Sequence, residues 1–381
     1  MHRIAGCAQL VIRMLVLGTG MVSLCNAQDR DSPLEHQTVM LPVRLLPRDN
    51  LLIARQSDGA LRAVQTVEDW QLRRKNIADA VEAILGPIPV FDAPVPLDVK
   101  VETELDQGTY RAQQISYQST PGSRVPAWLL IPKSAHQQPG VKLPAVLCLH
   151  QTTHLGPLEV IGQGGQPNLW YGRELAERGY VVMAPSYPLL GSYQPDLEAD
   201  GWKSGTLKAV WDNKRALDLL DELPFVQKKR YAAIGHSLGG HNSVFTAFHD
   251  ERIQAVVTSC GLDSFVDYYH GNDAVWQPGQ GWTQTRYMPR LSQYRGRLQE
   301  IPFDFHELIA GLAPRSVLIV APTSDGNFRM DSVDRIGTAA RPVFELSGAP
   351  DNLQIEHPDC GHDFPPAMRE KAYRLIDSVL K

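Results

Sequence analysis

From residue 143 onward, short apolar runs alternate with segments of helical period. Leu143–Leu149 is almost wholly apolar, the pattern of a strand buried on both faces. A helix is expected over Leu169–Arg178, a strand over Tyr180–Ala184 and a helix over Leu207–Leu223. Arg230–Ile234 reads as a strand, Leu238–Phe248 as a helix and Ile253–Ser259 as a strand. Ser316–Val320 and Leu353–Glu356 are further strands, with a helix near Asp331–Ala340 between them. A closing helix from Pro366 places Met368, Ala372, Leu375, Ile376 and Val379 on one face. Alternation of this kind predicts an α/β fold, with a mostly parallel sheet covered by helices on both faces.

The earlier half reads differently. Ile77, Ala80, Val81, Ile84 and Leu85 recur at helical spacing in a segment that starts at Trp70 and stops at Gly86-Pro87. Leu97–Glu104, Tyr110–Ser119 and Val125–Ile131 are β-rich and separated by turn residues, which predicts an antiparallel start to the sheet. Residues 28–65 are polar, contain prolines and show no period, as expected of chain wrapped over a surface. Residues 261–313 break the later rhythm. They hold Phe265, Tyr268, Tyr269, Trp276, Trp282 and Tyr287, and read either as a lid or pocket wall or as a side layer. Ser192–Trp202 is a second candidate for a pocket wall.

Residues 1–27 read as an export signal, with Arg3 and Arg13, an apolar stretch from Met14 to Cys25, and Ala27 before the expected cut. The resulting division is a signal over 1–27, an N-terminal extension with its amphipathic helix over 28–96, and a catalytic domain over 97–381 carrying the 261–313 insertion. The expected location is secreted or periplasmic, without stable membrane insertion once the signal is removed. The formal charge of −5 includes no basic tract, so no nucleic-acid partner is expected. Of the five cysteines, Cys148, Cys260 and Cys360 follow the signal. Cys148 suits a buried strand, and the pairing of Cys260 with Cys360 stays open. No metal-ligand spacing is evident, and neither metal nor cofactor is expected.

The chemistry gathers around Gly235-His236-Ser237-Leu238-Gly239, a G-x-S-x-G pattern between an expected strand and an expected helix. A serine hydroxyl needs a histidine to take its proton and a carboxylate to orient that histidine. Loops after strands are the place to seek both. Asp325 lies in Ala321-Pro322-Thr323-Ser324-Asp325-Gly326-Asn327-Phe328, although Asp-Gly also suits a plain turn. Asp331 is the runner-up, and Asp331 and Asp334 sit where a helix begins and suit capping. Only His357 and His362 follow Asp325, and His362, in a loop before the last helix, is the expected base. His236 and His241 suit packing and hydrogen bonding around the turn. The Leu238 N–H is the first expected oxyanion donor, and Gln151 or Thr152 offers the second.

With these residues in place, the chain resembles α/β-hydrolases of the broad dienelactone hydrolase, acetyl xylan esterase and prolyl-oligopeptidase-like group over residues 97–381. The resemblance rests on LCLHQTT, RGYVVMAPSYP, AAIGHSLGG, LIVAPTSDGNF and HPDCGHDFP. It implies a serine carboxylic-ester hydrolase with Ser237, Asp325 and His362 as its triad, acting through an acyl-enzyme on a small-molecule or carbohydrate ester. A prolyl-oligopeptidase-like peptidase is the alternative, and a non-catalytic binding protein on a hydrolase scaffold is the third reading. Dienelactone hydrolases proper use a cysteine nucleophile where this chain has Ser237. Glucuronoyl esterases are also similar, but place a cysteine and an arginine around their serine. His236 and Leu238 stand there in this chain, which argues against that activity.

Overall fold

A computed structural model describes residues 45–381 apart from Pro94, Gln138 and Pro139; the expected export signal lies outside the described residues. Two short strands come first, β1 (Ile53–Arg55) and β2 (Leu61–Ala63), then the long helix α1 (Val67–Leu85). The β1–β2 hairpin falls in the stretch expected to have no regular structure, and it buries Leu51, Ala54 and Val64. Helix α1 starts three residues before Trp70. Thr66 accepts from the Asp69 N–H while Asp69 accepts from the Thr66 N–H, a reciprocal cap that apolar spacing does not report.

The chain then runs through β3 (Lys100–Asp106), β4 (Tyr110–Thr120), β5 (Ser123–Pro132), α2 (Ser134–Gln137), β6 (Leu143–Leu149), α3 (Pro157–Val160), α4 (Tyr171–Glu177) and β7 (Val181–Pro185). It continues through α5 (Gly205–Glu222), β8 (Val226–His236), α6 (Leu238–His249), β9 (Ile253–Ser259), α7 (Phe305–Ala310) and β10 (Ser316–Val320). Helix α8 (Met330–Leu346), β11 (Leu353–Glu356) and α9 (Pro366–Leu380) complete it. One nine-stranded sheet has the order β11-β10-β9-β8-β6-β7-β5-β4-β3. Strands β6 to β11 pair parallel, and β3, β4 and β5 meander antiparallel onto β7.

Alternate residues of one strand supply opposite layers, as the two-residue period of a strand requires. Ala145, Leu147 and Leu149 of β6 join a core with α1, α5, α6 and α8. Val146 and Cys148 face the other way, against α3, α4 and α9. Both faces are therefore covered, and the loops at the carboxyl ends of β6, β8, β9, β10 and β11 open on one side of the sheet. Residues 261–313 form a run of short 3₁₀ turns followed by α7. Phe265, Trp276, Phe303 and Phe305 from this segment are fully buried against the core.

Within Ser192–Trp202, Tyr193, Leu197 and Trp202 are buried while the residues between them are mostly exposed. Inside α5, Lys208 is fully buried, and its ammonium donates to Asp212, to the Tyr193 hydroxyl (2.7 Å) and to Ser119 Oγ (3.0 Å). A buried cation is tolerated only when paired and hydrogen-bonded in this way, and here it ties the 192–202 stretch to the helix.

Arg73 of α1 and Glu307 of α7 form a second buried pair, Nη2 to Oε1 3.4 Å. Burial pushes the Glu307 carboxyl from 4.5 up to about 7, against the pull of Arg73 and Arg48. Its folded value is thus raised above its unfolded one. The stability it contributes is whole below about 4.5 and is lost as pH rises through about 7. Relative to wild type, Glu307→Gln should gain stability on the order of 2 kcal/mol as pH rises from about 5 to about 8, measured by urea titration at each pH. A difference flat with pH would mean that the carboxyl is ionised throughout.

Candidate active site

The site is built where β8 turns into α6. Ser237 sits between them with φ 52° and ψ −121°, a conformation that non-glycine residues rarely adopt. Its N–H donates to Ser259 O at the end of β9 (2.8 Å), and its carbonyl accepts from the His241 N–H (3.0 Å). The glycines two residues to either side permit the approach of helix and strand. A Cβ on Gly235 would lie 2.2 Å from the Gly239 carbonyl carbon, and one on Gly239 would lie 1.9 Å from Leu149 O.

Asp325 follows β10 and His362 follows β11. Nδ1 of His362 lies 3.0 Å from each Asp325 carboxylate oxygen. Carboxylate oxygens only accept, so Nδ1 carries the proton and Nε2 is left as an acceptor. The Asp325 side chain is 1% exposed and that of His362 26%. Asp325 also plays the turn role: Oδ1 accepts from the N–H of Asn327 (2.7 Å) and of Phe328 (3.3 Å). Burial pushes its carboxyl up, but His362, Asn327 and the Cys260 thiol together hold it below the ordinary carboxylate range. Ser237 and His362 line one cavity of about 380 Å³. Among the described residues none hydrogen-bonds the Ser237 hydroxyl.

The competing residues are occupied elsewhere. Asp331 pairs with Arg329 and Arg335 at the start of α8, and those hydrogen bonds bring its carboxyl down to about 2. His357 bonds Ala321 O through Nδ1 (2.7 Å) and Asp334 through Nε2 (3.0 Å).

Leu238 opens α6, so its N–H has no intrahelical acceptor. Gln151 and Thr152 both line the cavity beside it. Their loop is held by His150, which sequence patterning did not single out. His150 Nδ1 donates to Gln151 O (2.7 Å), and Nε2 accepts from the Tyr187 N–H (3.0 Å). Only the neutral ring can donate and accept at once, and burial lowers its pKa to about 4. Thr152 Oγ1 bonds the Tyr287 hydroxyl (2.9 Å), and the Gln151 amide reaches Glu159.

The other two histidines of the elbow are neutral as well. Burial, then the neighbouring His362, lowers His236 to about 3. Its Nδ1 lies 3.2 Å from Ser259 Oγ, and its ring stands edge-on to His362 with centroids 4.7 Å apart. His241 is fully buried, stacked on Trp282 at 4.4 Å, and burial lowers it to about 3. It packs as expected, but neither ring nitrogen has a hydrogen-bond partner among the described residues.

The remaining walls are Leu169, Tyr268, Tyr269, Gly281, Trp282, Gln284, Tyr287, Asn327 and Phe328. The insertion thus supplies the wall that its aromatic content suggested, while its Phe265 and Trp276 belong to the core. Asn327 and Phe328, two and three residues after Asp325, carried no signal of their own. A buried carboxyl was also missed. Asp263, 1% exposed after β9, is raised by burial to about 8. A larger cavity of about 540 Å³, bounded by Leu46, Arg48, His306 and Arg335, shares none of these residues.

Comparison with known proteins fits this architecture. A glucuronoyl esterase of Solibacter usitatus superposes with a TM-score of 0.67 at 17% identity, covering 87% of this chain and 97% of that one. The chain is an α/β-hydrolase by fold. A family model of fungal glucuronyl esterases matches residues 197–348. YtaP of Bacillus subtilis is 27% identical over 217 residues, 55% of this chain and 68% of its own length. Dipeptidyl-peptidase 5 of Porphyromonas gingivalis is 25% identical over 162 residues, 42% of this chain but only 22% of that protein.

The two candidate acids separate experimentally. Asp325→Asn should slow labelling of Ser237 by a fluorophosphonate by on the order of 10³-fold or more, because the His362 ring loses its anchor. Asp331→Asn should leave the rate within about threefold, as expected for an exposed ion pair remote from the ring. Equal, mild effects in both variants would reduce Asp325 to its turn role.

Proposed function

We propose that the chain is an exported serine carboxylic-ester hydrolase acting on carbohydrate esters through an acyl-enzyme. The observation that carries this reading is the His362–Asp325 bond in the cavity that also holds Ser237 on its strained turn. Ser237 Oγ attacks the ester carbonyl as its proton passes to His362 Nε2. Asp325 keeps the ring in the tautomer that can accept, and balances the charge it then gains. The oxyanion meets the Leu238 N–H together with that of Gln151 or Thr152. His362 returns the proton to the departing alkoxide. It next takes one from water, which attacks the acyl carbon and frees Ser237.

The walls favour a sugar. Trp282, Tyr268, Tyr269, Tyr287 and Phe328 offer flat faces for a ring, and Gln284, Asn327 and Gln151 offer neutral hydrogen bonds. No lysine, arginine, aspartate or glutamate is among the lining residues, so the substrate is uncharged where it is held. That composition also disfavours the peptidase alternative, which needs an acidic partner for a peptide amino terminus. The likeness to glucuronoyl esterases supports a carbohydrate ester. His236 and Leu238 stand where glucuronoyl esterases place a cysteine and an arginine, which favours short O-acyl esters over uronate esters. Export rests on the reading of residues 1–27.

Ser237→Ala should lower kcat on p-nitrophenyl acetate by at least about 10³-fold with little change in the thermal melt. In wild type, kcat/KM for p-nitrophenyl acetate and acetylated xylan should exceed that for a prolyl or alanyl amide at least tenfold. Faster turnover of the amide would establish the peptidase. A preference for benzyl glucuronate would move the substrate to uronate esters. Failure of the fluorophosphonate to label Ser237 at all would leave a binding protein.

A further inference from the structure

Three side chains from separate loops converge behind the nucleophile. His236 ends β8, Cys260 follows β9 and His362 follows β11. One nitrogen of each imidazole and the Cys260 sulfur all lie within 4.8 Å of one another. Cys260 is buried and holds φ 49°, the same left-handed sense as Ser237. A strained non-glycine residue is kept only where its surroundings fix it. Here the Cys260 N–H donates to Val320 O (2.8 Å) and Sγ reaches the Asp363 carbonyl (3.5 Å).

Two imidazoles and a thiol are the donor set of a borderline-soft ion. Bond lengths of about 2.0 Å to nitrogen and about 2.3 Å to sulfur place tetrahedral donors roughly 3.5 Å apart. The trio must therefore close by about 1 Å, a small rotation for the partly exposed His362 ring. His236 and His362 line the 380 Å³ cavity, which gives an ion a way in. No lysine or arginine lines that cavity, and the Asp325 carboxylate lies beside both Cys260 and His362. The local field thus favours a cation.

We propose that His236, Cys260 and His362 form a binding site for a thiophilic divalent cation, Zn²⁺ or Cd²⁺, which switches the hydrolase off by taking His362 out of reach of Ser237. The ion bonds one unprotonated nitrogen of each imidazole and the Cys260 thiolate; bonding at His362 Nδ1 requires its proton to move to Nε2 and the bond to Asp325 to be given up. The thiol proton leaves to solvent, and nothing is oxidised or reduced. Inhibition rests on His362 acting as the base, whereas the binding site does not.

The test uses the mature protein after treatment with EDTA and dialysis. Titration with CdCl₂ should raise the ultraviolet thiolate-to-cadmium absorption with a single-equivalent end point. Ser237→Ala should give the same curve, so this reading stands apart from catalysis. Cys260→Ser should lose the signal, with Cys260→Ala as the second variant if the first does not fold, and Cys360→Ser should keep it. With p-nitrophenyl acetate, saturating ZnCl₂ should slow wild type at least tenfold, EDTA should restore the rate, and Cys260→Ser should resist Zn²⁺ at least tenfold better. An undiminished cadmium signal in both Cys260 variants would overturn the site. Loss of activity on EDTA treatment, or equal zinc inhibition of wild type and Cys260→Ser, would overturn the switch.

Discussion

The backbone contact between β6, β8 and α6 is the constraint on which the rest of the site depends. Gly239 touches Leu149 O so closely that no side chain fits, and Gly235 touches Gly239 in the same way. That contact fixes how near the start of α6 lies to the end of β6. It brings the Leu238 N–H and the Gln151–Thr152 loop to one cavity. The register Leu149 against Gly235 continues it into the sheet, and the Ser237 N–H to Ser259 O bond extends it to β9. Holding Ser237 in its rare conformation costs on the order of 1–3 kcal/mol, which the two-sided burial of β6 and β8 offsets many times over.

Four histidines near the nucleophile are assigned different roles by their surroundings. His150, His236 and His241 are buried, and burial alone or with a neighbouring imidazole keeps each uncharged. His150 uses both nitrogens to brace a loop, and His241 gives up hydrogen bonding to stack on Trp282. His362 alone of the four hydrogen-bonds a carboxylate while staying partly exposed to the cavity. Distance from Ser237 along the chain does not single out His362, since His236 and His241 are nearer; its place after Asp325 does, and among the four no other shares it.

The sheet and its helices were legible because apolar runs of strand length alternate with helical spacing, and both signals are local. The start of α1 was not, because it is set by Thr66 and Asp69, two polar residues outside the apolar pattern. The β1–β2 hairpin escaped because its strands are three residues each, too short for a period to show. Motifs and places after strands proposed Ser237, Asp325 and His362 from the sequence, and the structure puts Asp325 and His362 in a hydrogen bond and Ser237 and His362 on one cavity. What surrounds them was not legible. Cys260 meets His362 only because β9 and β11 flank β10, and no spacing along the chain records that adjacency. The buried lysine under the 192–202 stretch was not legible either, because Tyr193 and Trp202 look alike in sequence whether they meet a ligand or Lys208. Cys148, Cys260 and Cys360 all carry free thiols, so the Cys260–Cys360 pairing left open by the sequence is not made.

The absence of a fixed cation among the residues lining the cavity has a bearing on how the reaction ends. In the reaction proposed above, hydrolysis turns a neutral ester into a carboxylate. That new anion forms beside the ionised Asp325 and against walls of aromatic rings and neutral amides. Of the lining residues only a protonated His362 can offer it a cation, and that ring is already paired with Asp325, whose carboxylate has the same sign as the product. The electrostatic free energy of the bound acid therefore rises at the moment it is made, while that of the bound ester does not. On the function proposed above, such a cavity treats ester and acid differently by charge, and the carboxylate that holds the His362 ring in place also repels the product.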